Sequence, residues 1–351
     1  MSKFLNSRLA SLEAYTPGEQ PQDRKYIKLN TNESPYPPSK GVRKAVDRKA
    51  VDNLRLYCNP DASVLKEELA KLYDKTPSQI FVANGSDDIL NFAFLAFGED
   101  GILFPDISYG FYEVFANLHG LPYEKVALKK DFTIDVADYC GKNKMVAIAN
   151  PNAPTGIALP LKKIEKLLKA NPDRVVLIDE AYVDFGGESC AQLVEKYPNL
   201  LCVQTFSKSR SMAGARLGFA IGAQELIADL ETIKYSTNPY NVNSLTQAAG
   251  VAALRENSYY MRNCRRIIKS RNYTKKELEK LGFTVLPSKA NFLFAKSDAV
   301  DGKELYLRLK EKGILVRHFE KDRIRNYNRI TIGSQKEMEA FIDAVKEILG
   351  A

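Results

Sequence analysis

The chain contains 351 residues, carries a formal net charge of +8 at pH 7, and is 45% apolar and 27% charged. These values are typical of a globular protein that is large enough for roughly two domains. No apolar run approaches the ~20 residues that a membrane-spanning helix needs, and the N-terminus lacks the apolar core of a signal peptide. We therefore expect a cytoplasmic protein without a membrane partner.

The basic residues, the cysteines and the histidines each argue against a class of function. Lysines and arginines are spread along the chain without a basic run interleaved with aromatic residues, which argues against a nucleic-acid partner. The cysteines form no CxxC pair, so we expect reduced thiols. The histidines are His119 and His318, and no HExxH motif occurs, so we expect no metal site.

Short, continuous apolar runs alternate with helix-like segments through the middle of the chain. Strands are predicted at 80–83, 102–104, 145–149, 175–178, 200–204 and 217–221, and helices at 86–97 and 161–170. Strands this apolar, with helices between them, predict an α/β fold in which a mostly parallel sheet is covered by helices on both faces.

The C-terminal part shows a different pattern, which is typical of a small α+β domain. A long helix at 257–280 is followed by strands at 283–286, 291–295, 314–317 and 329–332 and by helices at 303–311 and 336–349. We therefore predict an N-terminal arm at 1–40 that belongs with the small domain, a large domain at 41–255, and a small C-terminal domain at 256–351 that includes the joining helix.

The most informative stretch runs from Thr205 to Gly218, just after a predicted strand. Lys208 lies there among small residues, and a lysine in such a place can bind an aldehyde cofactor covalently. Ser207 precedes it and Arg216 follows in Gly-Ala-Arg-Leu-Gly; both side chains can bind a phosphate. Taken singly, Lys208 is most simply a solvated lysine, and Arg216 is most simply part of a surface ion pair. The interpretation therefore depends on Ser207, Lys208 and Arg216 occurring together.

A second apolar run ends in Asp179-Glu180-Ala181-Tyr182. An acid at the end of a buried strand can keep a pyridine nitrogen protonated, and Tyr182 can donate a hydrogen bond to the phenolate oxygen of the same ring. The run also resembles the Walker B strand of an ATPase, but the required GxxxxGK(S/T) sequence is absent, as is GxGxxG. Asp179 could instead cap a helix.

A candidate phosphate loop follows the first strand of the middle region. Gly85, Ser86 and Asp87 come after that strand and open a predicted helix. Free N–H groups at a helix N-terminus bind phosphate, and glycine permits close approach, although a simple turn and cap would have the same sequence. Tyr109 could stack on a planar ring or could be a partly buried aromatic residue.

In this order the motifs resemble those of the fold-type I pyridoxal-phosphate aminotransferases and, more narrowly, of their histidinol-phosphate branch. The resemblance covers almost the whole chain. Leu29–Pro35 is similar to the family's asparagine-rich opening segment, and the Lys208 stretch marks the superfamily. Pro239–Leu245 is similar to a segment that marks the branch, and Arg329–Gly333 to the strand whose arginine binds the anionic group of the substrate.

The resemblance implies pyridoxal 5′-phosphate as cofactor and a homodimer with shared active sites. Tyr57 is at the position of the tyrosine that reaches the cofactor phosphate of the partner subunit. Arg329 is expected to bind the anionic groups of both substrates, with Arg317 as a second candidate. Tyr15 and Asn30 complete the expected substrate-binding set.

One position departs from the family pattern. The family commonly reads Pro-Asn-Asn-Pro-Thr-Gly, and its second asparagine contacts the phenolate oxygen of the cofactor. This chain has Ala153 there, with Asn152 beside it. Either Asn152 makes that contact through a shifted backbone, or Tyr182 makes it alone.

The implied reaction transfers the amino group of L-histidinol phosphate to 2-oxoglutarate, giving imidazole acetol phosphate and glutamate in histidine biosynthesis. Lys208 would move the proton as general base and then acid, and Asp179 would hold the protonated ring nitrogen. An aromatic-amino-acid aminotransferase or a phospho-amino-acid decarboxylase on the same fold is an alternative. A non-catalytic ligand-binding protein is the alternative from another class.

Overall fold

The computed structural model describes residues 2–10 and 12–350. Its strands are β1 (Ile27–Lys28), β2 (Ile80–Ala83), β3 (Ile102–Pro105), β4 (Tyr123–Val126), β5 (Met145–Ala149), β6 (Val176–Asp179), β7 (Leu200–Thr205), β8 (Gly218–Gly222), β9 (Phe283–Val285), β10 (Phe292–Ser297), β11 (Ile314–Leu315), β12 (Arg317–His318) and β13 (Asn328–Thr331). Its helices are α1 (Lys40–Ala45), α2 (Arg48–Asp52), α3 (Ser63–Tyr73), α4 (Ser86–Phe97), α5 (Phe111–His119), α6 (Leu161–Ala170), α7 (Gln224–Thr237), α8 (Ser244–Arg255), α9 (Asn257–Lys280), α10 (Gly302–Glu311) and α11 (Gln335–Leu349). Within these residues, no helix has the length and apolar character that a membrane span requires.

The central sheet has seven strands in the order β2-β8-β7-β6-β5-β3-β4. Its neighbouring strands are parallel except that β8 runs antiparallel to both β2 and β7. Consecutive residues of β6 enter two different apolar cores: Val176 and Ile178 belong to one, and Leu177 belongs to the other. Helices α3, α6 and α8 pack in the first core and α4, α5 and α7 in the second, so the predicted α/β architecture is confirmed.

The C-terminal part forms a separate antiparallel sheet in the order β12-β13-β10-β9. Helices α9, α10 and α11 pack against it through a third apolar core that includes Ile267, Leu305 and Phe341. The predicted strand at 314–317 is divided in the structure, since β11 pairs in parallel with β1 whereas β12 joins the antiparallel sheet. The β1–β11 pairing attaches the N-terminal segment to the small domain; the exact domain boundaries stay a prediction.

The carboxyl ends of β5, β6 and β7 meet at one edge of the central sheet. The Asn150 N–H donates to the Asp179 carbonyl oxygen over 2.8 Å, and the Glu180 N–H donates to that of Val203 over 2.7 Å, so the strands stay in register to their ends. In open α/β sheets, ligands bind just outside the carboxyl ends of the strands. Asp179 is the last residue of β6, and Lys208 follows β7 by three residues. The fold therefore brings both residues to the edge at which a ligand is expected.

We predict that Gly218→Ala destabilises the fold where β8 passes the loop before α4. A Cβ at this position would lie 2.4 Å from the Ser86 backbone nitrogen and 2.5 Å from the Gly85 carbonyl carbon. Because both are backbone atoms, no rotamer change relieves the clash, and the free energy of unfolding should fall by about 1–3 kcal/mol. Urea denaturation followed by circular dichroism measures this change. Gly214→Ala is the matched control, because nothing lies within 4 Å of its added Cβ; equal losses in the two variants would contradict the argument.

Candidate active site

A cavity of about 570 Å³ lies between the carboxyl edge of the central sheet, the N-terminal segment and the small domain. Most of the side chains that the sequence singled out line it: Tyr15, Asn30, Ser86, Asp87, Tyr109, Asp179, Tyr182, Ser207, Lys208, Arg216, Arg317 and Arg329. These residues are far apart in the chain, and the fold places them around one space. Gly85, Asn152 and Tyr57 are not part of its lining.

Lys208 faces the N-terminal segment across the cavity. Its Nζ donates a hydrogen bond to the Thr31 carbonyl oxygen over 3.1 Å. Burial lowers the pKa of Lys208 to about 8, and the positive charge of Arg329 acts in the same direction. Two carboxylates, Glu33 and Asp87, partly oppose this fall in pKa. Because the neutral amine is the nucleophilic form, Lys208 is a reactive amine close to neutral pH.

Asp179 is only 5% exposed at the end of β6. Its Oδ2 accepts a hydrogen bond from the Tyr112 hydroxyl over 3.1 Å, and its Oδ1 accepts one from the Ala181 N–H over 3.2 Å. Burial raises the pKa of this carboxyl to about 6, and the two hydrogen bonds oppose the rise only in part. Asp179 does not cap a helix, because the next helical turn begins at Val183. A buried carboxylate of this kind favours a ligand that brings a protonated nitrogen.

Tyr182 lies beside Asp179 with its hydroxyl available to a ligand. Its ring packs edge-on against Phe292, with 5.0 Å between the ring centroids. Its hydroxyl oxygen accepts a hydrogen bond from the Asn32 side-chain amide over 3.0 Å, which leaves the hydroxyl hydrogen free to be donated. Burial raises the pKa of Tyr182, so the hydroxyl stays protonated and can act as a donor at neutral pH.

A concave site that suits an anion lies at the N-terminus of α4. It is formed by Gly85, Ser86, Asp87 and Arg216 and is called the phosphate cup below. The helix begins at Ser86, and the residue before it, Gly85, supplies no side-chain cap for the first N–H groups. Gly85 has a φ of +86°, and a Cβ there would lie 2.7 Å from Arg216 Nη2. Arg216 Nη2 is 2.9 Å from Asp87 Oδ2, and Asp87 Oδ1 accepts a hydrogen bond from the Tyr109 hydroxyl over 2.7 Å. Free amides and a guanidinium at one helix end are suited to a phosphate.

Ser207 belongs to the same cup through the β7–β8 pair. Its Oγ accepts a hydrogen bond from the Thr205 hydroxyl over 3.0 Å, so its own hydroxyl hydrogen can be donated to a ligand. Thr205 pairs with Gly218 across the two antiparallel strands. Ser207 and Arg216 are therefore held at the two ends of one hairpin loop, as the sequence interpretation required.

The structure does not bring Asn152 to the cavity. Its side-chain amide is engaged in hydrogen bonds of 2.9 to 3.1 Å with Ser108, Ile107 and Thr155. Ala153 takes the cavity-lining position instead. The expected contact between Asn152 and the cofactor therefore has no support in this geometry, because the side chain already serves to tie its own loop to the segment after β3. The alternative remains, in which Tyr182 alone contacts the ring oxygen.

Tyr57 also lies outside the cavity. Its side chain is 85% exposed and stacks on Tyr240, with 4.5 Å between the ring centroids. Leu54 and Leu56 beside it are 51% and 54% exposed. A cluster of exposed apolar side chains is typical of a surface that contacts another protein chain. The expected contact of Tyr57 with the cofactor of a partner subunit stays a prediction.

Arg329 is the best-placed candidate for binding a substrate anion. Its Nη2 donates to the Asn30 carbonyl oxygen over 2.8 Å, and its guanidinium carbon lies 5.5 Å from the ring centroid of Phe292. Its Nε is buried and has no hydrogen-bond partner in the described part of the chain. A partly buried guanidinium with an unused donor favours an anionic ligand.

The other expected substrate residues also hold the N-terminal segment in place. Arg317 donates to the carbonyl oxygens of Pro17 and Thr16 over 3.2 and 3.3 Å. Tyr15 stacks on Phe111 with 4.2 Å between the ring centroids. These contacts bring residues 15–18 over the cavity, so that Arg317 and Tyr15 can act both on the segment and on a ligand.

The sequence interpretation missed Thr31, Asn32 and Tyr112. Thr31 and Asn32 hold Lys208 and Tyr182 through the hydrogen bonds described above. The asparagine-rich segment was a signal for them, although it could not show which residue meets which partner. Tyr112 carried no signal, since it lies on the buried face of α5, where an apolar residue would produce the same pattern.

We predict that Lys208 behaves as an unusually acidic lysine before any cofactor is added. With a pKa of about 8, its neutral fraction rises through that pH, whereas ordinary lysines become neutral near ~10.4. Reductive methylation followed by peptide mass spectrometry should therefore label Lys208 half-maximally near pH 8. Arg329→Gln removes a positive charge that lowers this pKa, so the profile should move to higher pH. A midpoint equal to that of the exposed Lys142 would contradict the assignment.

The comparison with known sequences identifies the family. Residues 24–345 match the family described as aminotransferase class I and II. The histidinol-phosphate aminotransferase of Brachyspira hyodysenteriae is 51% identical over 352 residues, which covers 99% of each chain. That of Clostridium botulinum is 46% identical over 351 residues, again 99% of each chain.

Solved structures share the fold. The histidinol-phosphate aminotransferase from Sinorhizobium meliloti, crystallised in complex with pyridoxal 5′-phosphate, is 23% identical and has a TM-score of 0.89 over 100% of this chain and 98% of that chain. At this identity the likeness concerns the fold alone. The family match and the full-length relatives, together with the geometry of the cavity, lead to one conclusion: the chain belongs to the class I and II aminotransferases.

Proposed function

We propose that this aminotransferase moves the amino group of L-histidinol phosphate to 2-oxoglutarate, which yields imidazole acetol phosphate and glutamate in histidine biosynthesis. Full-length relatives at 51% and 46% identity carry the name of that activity. The observation that carries the proposal is one cavity that holds a lysine of low pKa, a buried acid and a guanidinium whose Nε has no hydrogen-bond partner among the described residues. These relatives do not favour an aromatic-amino-acid aminotransferase, a decarboxylase or a non-catalytic binding protein.

The residues present fit pyridoxal 5′-phosphate. Asp179 is a buried carboxylate that can hold a protonated ring nitrogen. The N-terminus of α4, with Ser207 and Arg216, can hold the phosphate, and the lack of a Cβ at Gly85 lets the Arg216 guanidinium approach this helix end. When it is bound, this cofactor supplies an electron sink for the bond that breaks at the amino-bearing carbon of the substrate.

Lys208 is placed to move the proton at that carbon. Its Nζ lines the cavity, and a pKa of about 8 makes it an effective base and then an effective acid near neutral pH. The Thr31 carbonyl oxygen accepts a hydrogen bond from Nζ and so orients the amine. Tyr182, whose hydroxyl is protonated, would donate a hydrogen bond to the ring oxygen of the cofactor, and Asp179 would hold the proton on the ring nitrogen.

The small domain supplies the positive charge that the anionic substrates need. Arg317, Lys321 and Arg329 line one wall of the cavity. The nearby carboxylate of Glu33 is already paired with Lys28, over 2.7 Å. A guanidinium offers a planar fork of donors that suits both a phosphate and a carboxylate. One site can therefore receive the phosphate of one substrate and a carboxylate of the other.

We further propose a homodimer with shared active sites, in which Tyr57 of each subunit reaches the cofactor phosphate of its partner. The exposed cluster around Tyr57, with Leu54 and Leu56, supports an interface at this surface. A cytoplasmic location likewise stays a proposal.

We predict that Arg329→Ala removes the preference for phosphorylated substrate. The phosphate would lose a charged hydrogen-bonded partner, which costs about 2 kcal/mol or more, or at least roughly thirty-fold in kcat/KM. L-Histidinol lacks the phosphate, so its kcat/KM should change much less. The kcat/KM of Arg329→Lys for histidinol phosphate should lie between those of the unsubstituted protein and Arg329→Ala, because an ammonium keeps the charge but not the planar fork of donors. Steady-state transamination with 2-oxoglutarate measures kcat/KM for both donors in the unsubstituted protein and in the two variants.

Two controls accompany this experiment. Arg325→Ala removes an exposed arginine of the same domain that does not line the cavity and should leave the kinetics unchanged. Lys208→Ala provides the inactive reference. Unchanged kinetics with a lowered melting temperature in Arg329→Ala would assign Arg329 to structure. An unsubstituted protein that transaminates phenylalanine or tyrosine better than histidinol phosphate would contradict the proposed substrate.

We predict that mixed subunits of Tyr57→Phe and Lys208→Ala protein regain activity. Each variant alone should be strongly impaired, but one of the two sites in a heterodimer would contain both original side chains. Activity is measured after the subunits are exchanged at low protein concentration. Replacing Tyr57→Phe in the mixture by the double variant Tyr57→Phe, Lys208→Ala should give no recovery. A fully active monomer would rule out the shared site.

A further inference from the structure

The segment 239–247, which opens α8, does not line the cavity and yet contacts the elements that form the phosphate cup. We infer that Asn241 is a positioning residue, which fixes the loop before α4 in the shape that binds the cofactor phosphate. This inference rests on the proposed cofactor. It assigns a structural role to the segment that resembles a family motif in the sequence but takes no direct part in the proposed reaction.

Asn241 holds both ends of the loop 84–88. The Asn84 side-chain amide donates to the Asn241 carbonyl oxygen over 3.0 Å. The Asn241 side-chain amide donates to Asp88 Oδ2 over 3.2 Å. Gly85, Ser86 and Asp87 lie between these two anchors, and they include the first residues of α4. The backbone and the side chain of one residue therefore fix the stretch that offers its N–H groups to a phosphate.

The same segment also fixes the loop that carries the phosphate-binding arginine. Thr246 Oγ1 donates to the Ala215 carbonyl oxygen over 2.9 Å. Arg216 follows directly, with a left-handed φ of +53° that a non-glycine residue adopts only when its surroundings hold it. Asn243 caps α8 by accepting from the Thr246 N–H over 2.9 Å, which keeps Thr246 in position for this contact.

A third contact reaches the loop of Tyr57. The ring of Tyr240 stacks on Tyr57, and the Gln247 side-chain amide donates to the Asn59 carbonyl oxygen over 2.8 Å. Three stretches that are distant in the chain thus meet one continuous segment. A phosphate site requires its donors to be placed within about 0.5 Å of the productive geometry. The contacts to the loop before α4 and to Ala215 meet that requirement for the cup of the same subunit, whereas the contact with Tyr57 ties the segment to the loop that is proposed to reach the partner subunit.

The chemistry of the Asn241 side chain is specific. Its amide must donate, because Asp88 offers a carboxylate oxygen at that place. Asn241→Asp has almost the same shape but sets two carboxylates at hydrogen-bond distance, so that they repel and the loop is displaced. The swap Asn241→Asp with Asp88→Asn reverses the direction of the hydrogen bond and restores it.

The experiment measures the dissociation constants of pyridoxal 5′-phosphate and of pyridoxal for the full-length protein. Binding is detected through the absorbance of the bound ring. Loss of a hydrogen bond to a charged group predicts that Asn241→Asp weakens pyridoxal 5′-phosphate binding by about tenfold or more. Pyridoxal has no phosphate, so its dissociation constant should change by less than about twofold, well under the tenfold step of ~1.4 kcal/mol. The swap should recover most of the loss. Asn238→Asp, an exposed position in the same connection, should behave as the unsubstituted protein.

The outcomes separate this inference from the proposed function. Equal losses for the two ligands, no loss at all, or a folded swap variant without recovery would each overturn the role of Asn241. Failure of the unsubstituted protein to prefer pyridoxal 5′-phosphate over pyridoxal would overturn the proposed cofactor, and the inference with it. If Asn241→Asp does not fold, as judged by circular dichroism, Asn241→Ala takes its place; it removes the hydrogen bond without adding a charge and should show the same selective loss.

Discussion

A carboxylate buried at the end of a strand favours a ligand that brings a positive charge. Asp179 lies at the carboxyl edge of the central sheet, where a tyrosine hydroxyl and a backbone N–H stabilise it without neutralising it. Burial raises its pKa to about 6, because the charged form of the carboxyl is poorly solvated there. A ligand with a protonated nitrogen removes this penalty, and so its binding also stabilises the folded state.

The N-terminal segment contacts both groups that the proposed reaction needs, Arg329 for the substrate anion and Lys208 for the proton. The carbonyl oxygens of Asn30 and Thr31 accept hydrogen bonds from Arg329 and Lys208. The Asn32 amide reaches the hydroxyl of Tyr182. Because β1 just before them pairs with β11 of the small domain, this short stretch is tied to the domain that carries Arg317 and Arg329. It also orients Lys208 and Tyr182 of the large domain.

Much of the fold could be predicted from the sequence, because buried parallel strands leave continuous apolar runs. β4 was not predicted, since this edge strand has exposed residues, Glu124 and Lys125, at its centre. The direction of β8 was not predicted either, because an apolar run shows that a strand exists but not which way it runs. The signals for Lys208, Asp179 and Arg216 were chemical and local, and all three lie at the cavity. The hydrogen bonds that Asn152 makes with Ile107 and Ser108 could not be predicted, because these partners are more than forty residues away in the sequence, and its role toward the cofactor stays a prediction.

The antiparallel β7–β8 pair has a consequence for the size of the ligand. Thr205 faces Gly218, and the Phe206 N–H donates to the Leu217 carbonyl oxygen over 2.9 Å. Lys208 and Arg216 are thus carried by one closed loop, whose ends cannot move apart without breaking the sheet. If Lys208 and Arg216 hold the aldehyde and the phosphate of the cofactor as proposed, the closed β7–β8 pair therefore limits how far apart these two groups of a ligand can lie.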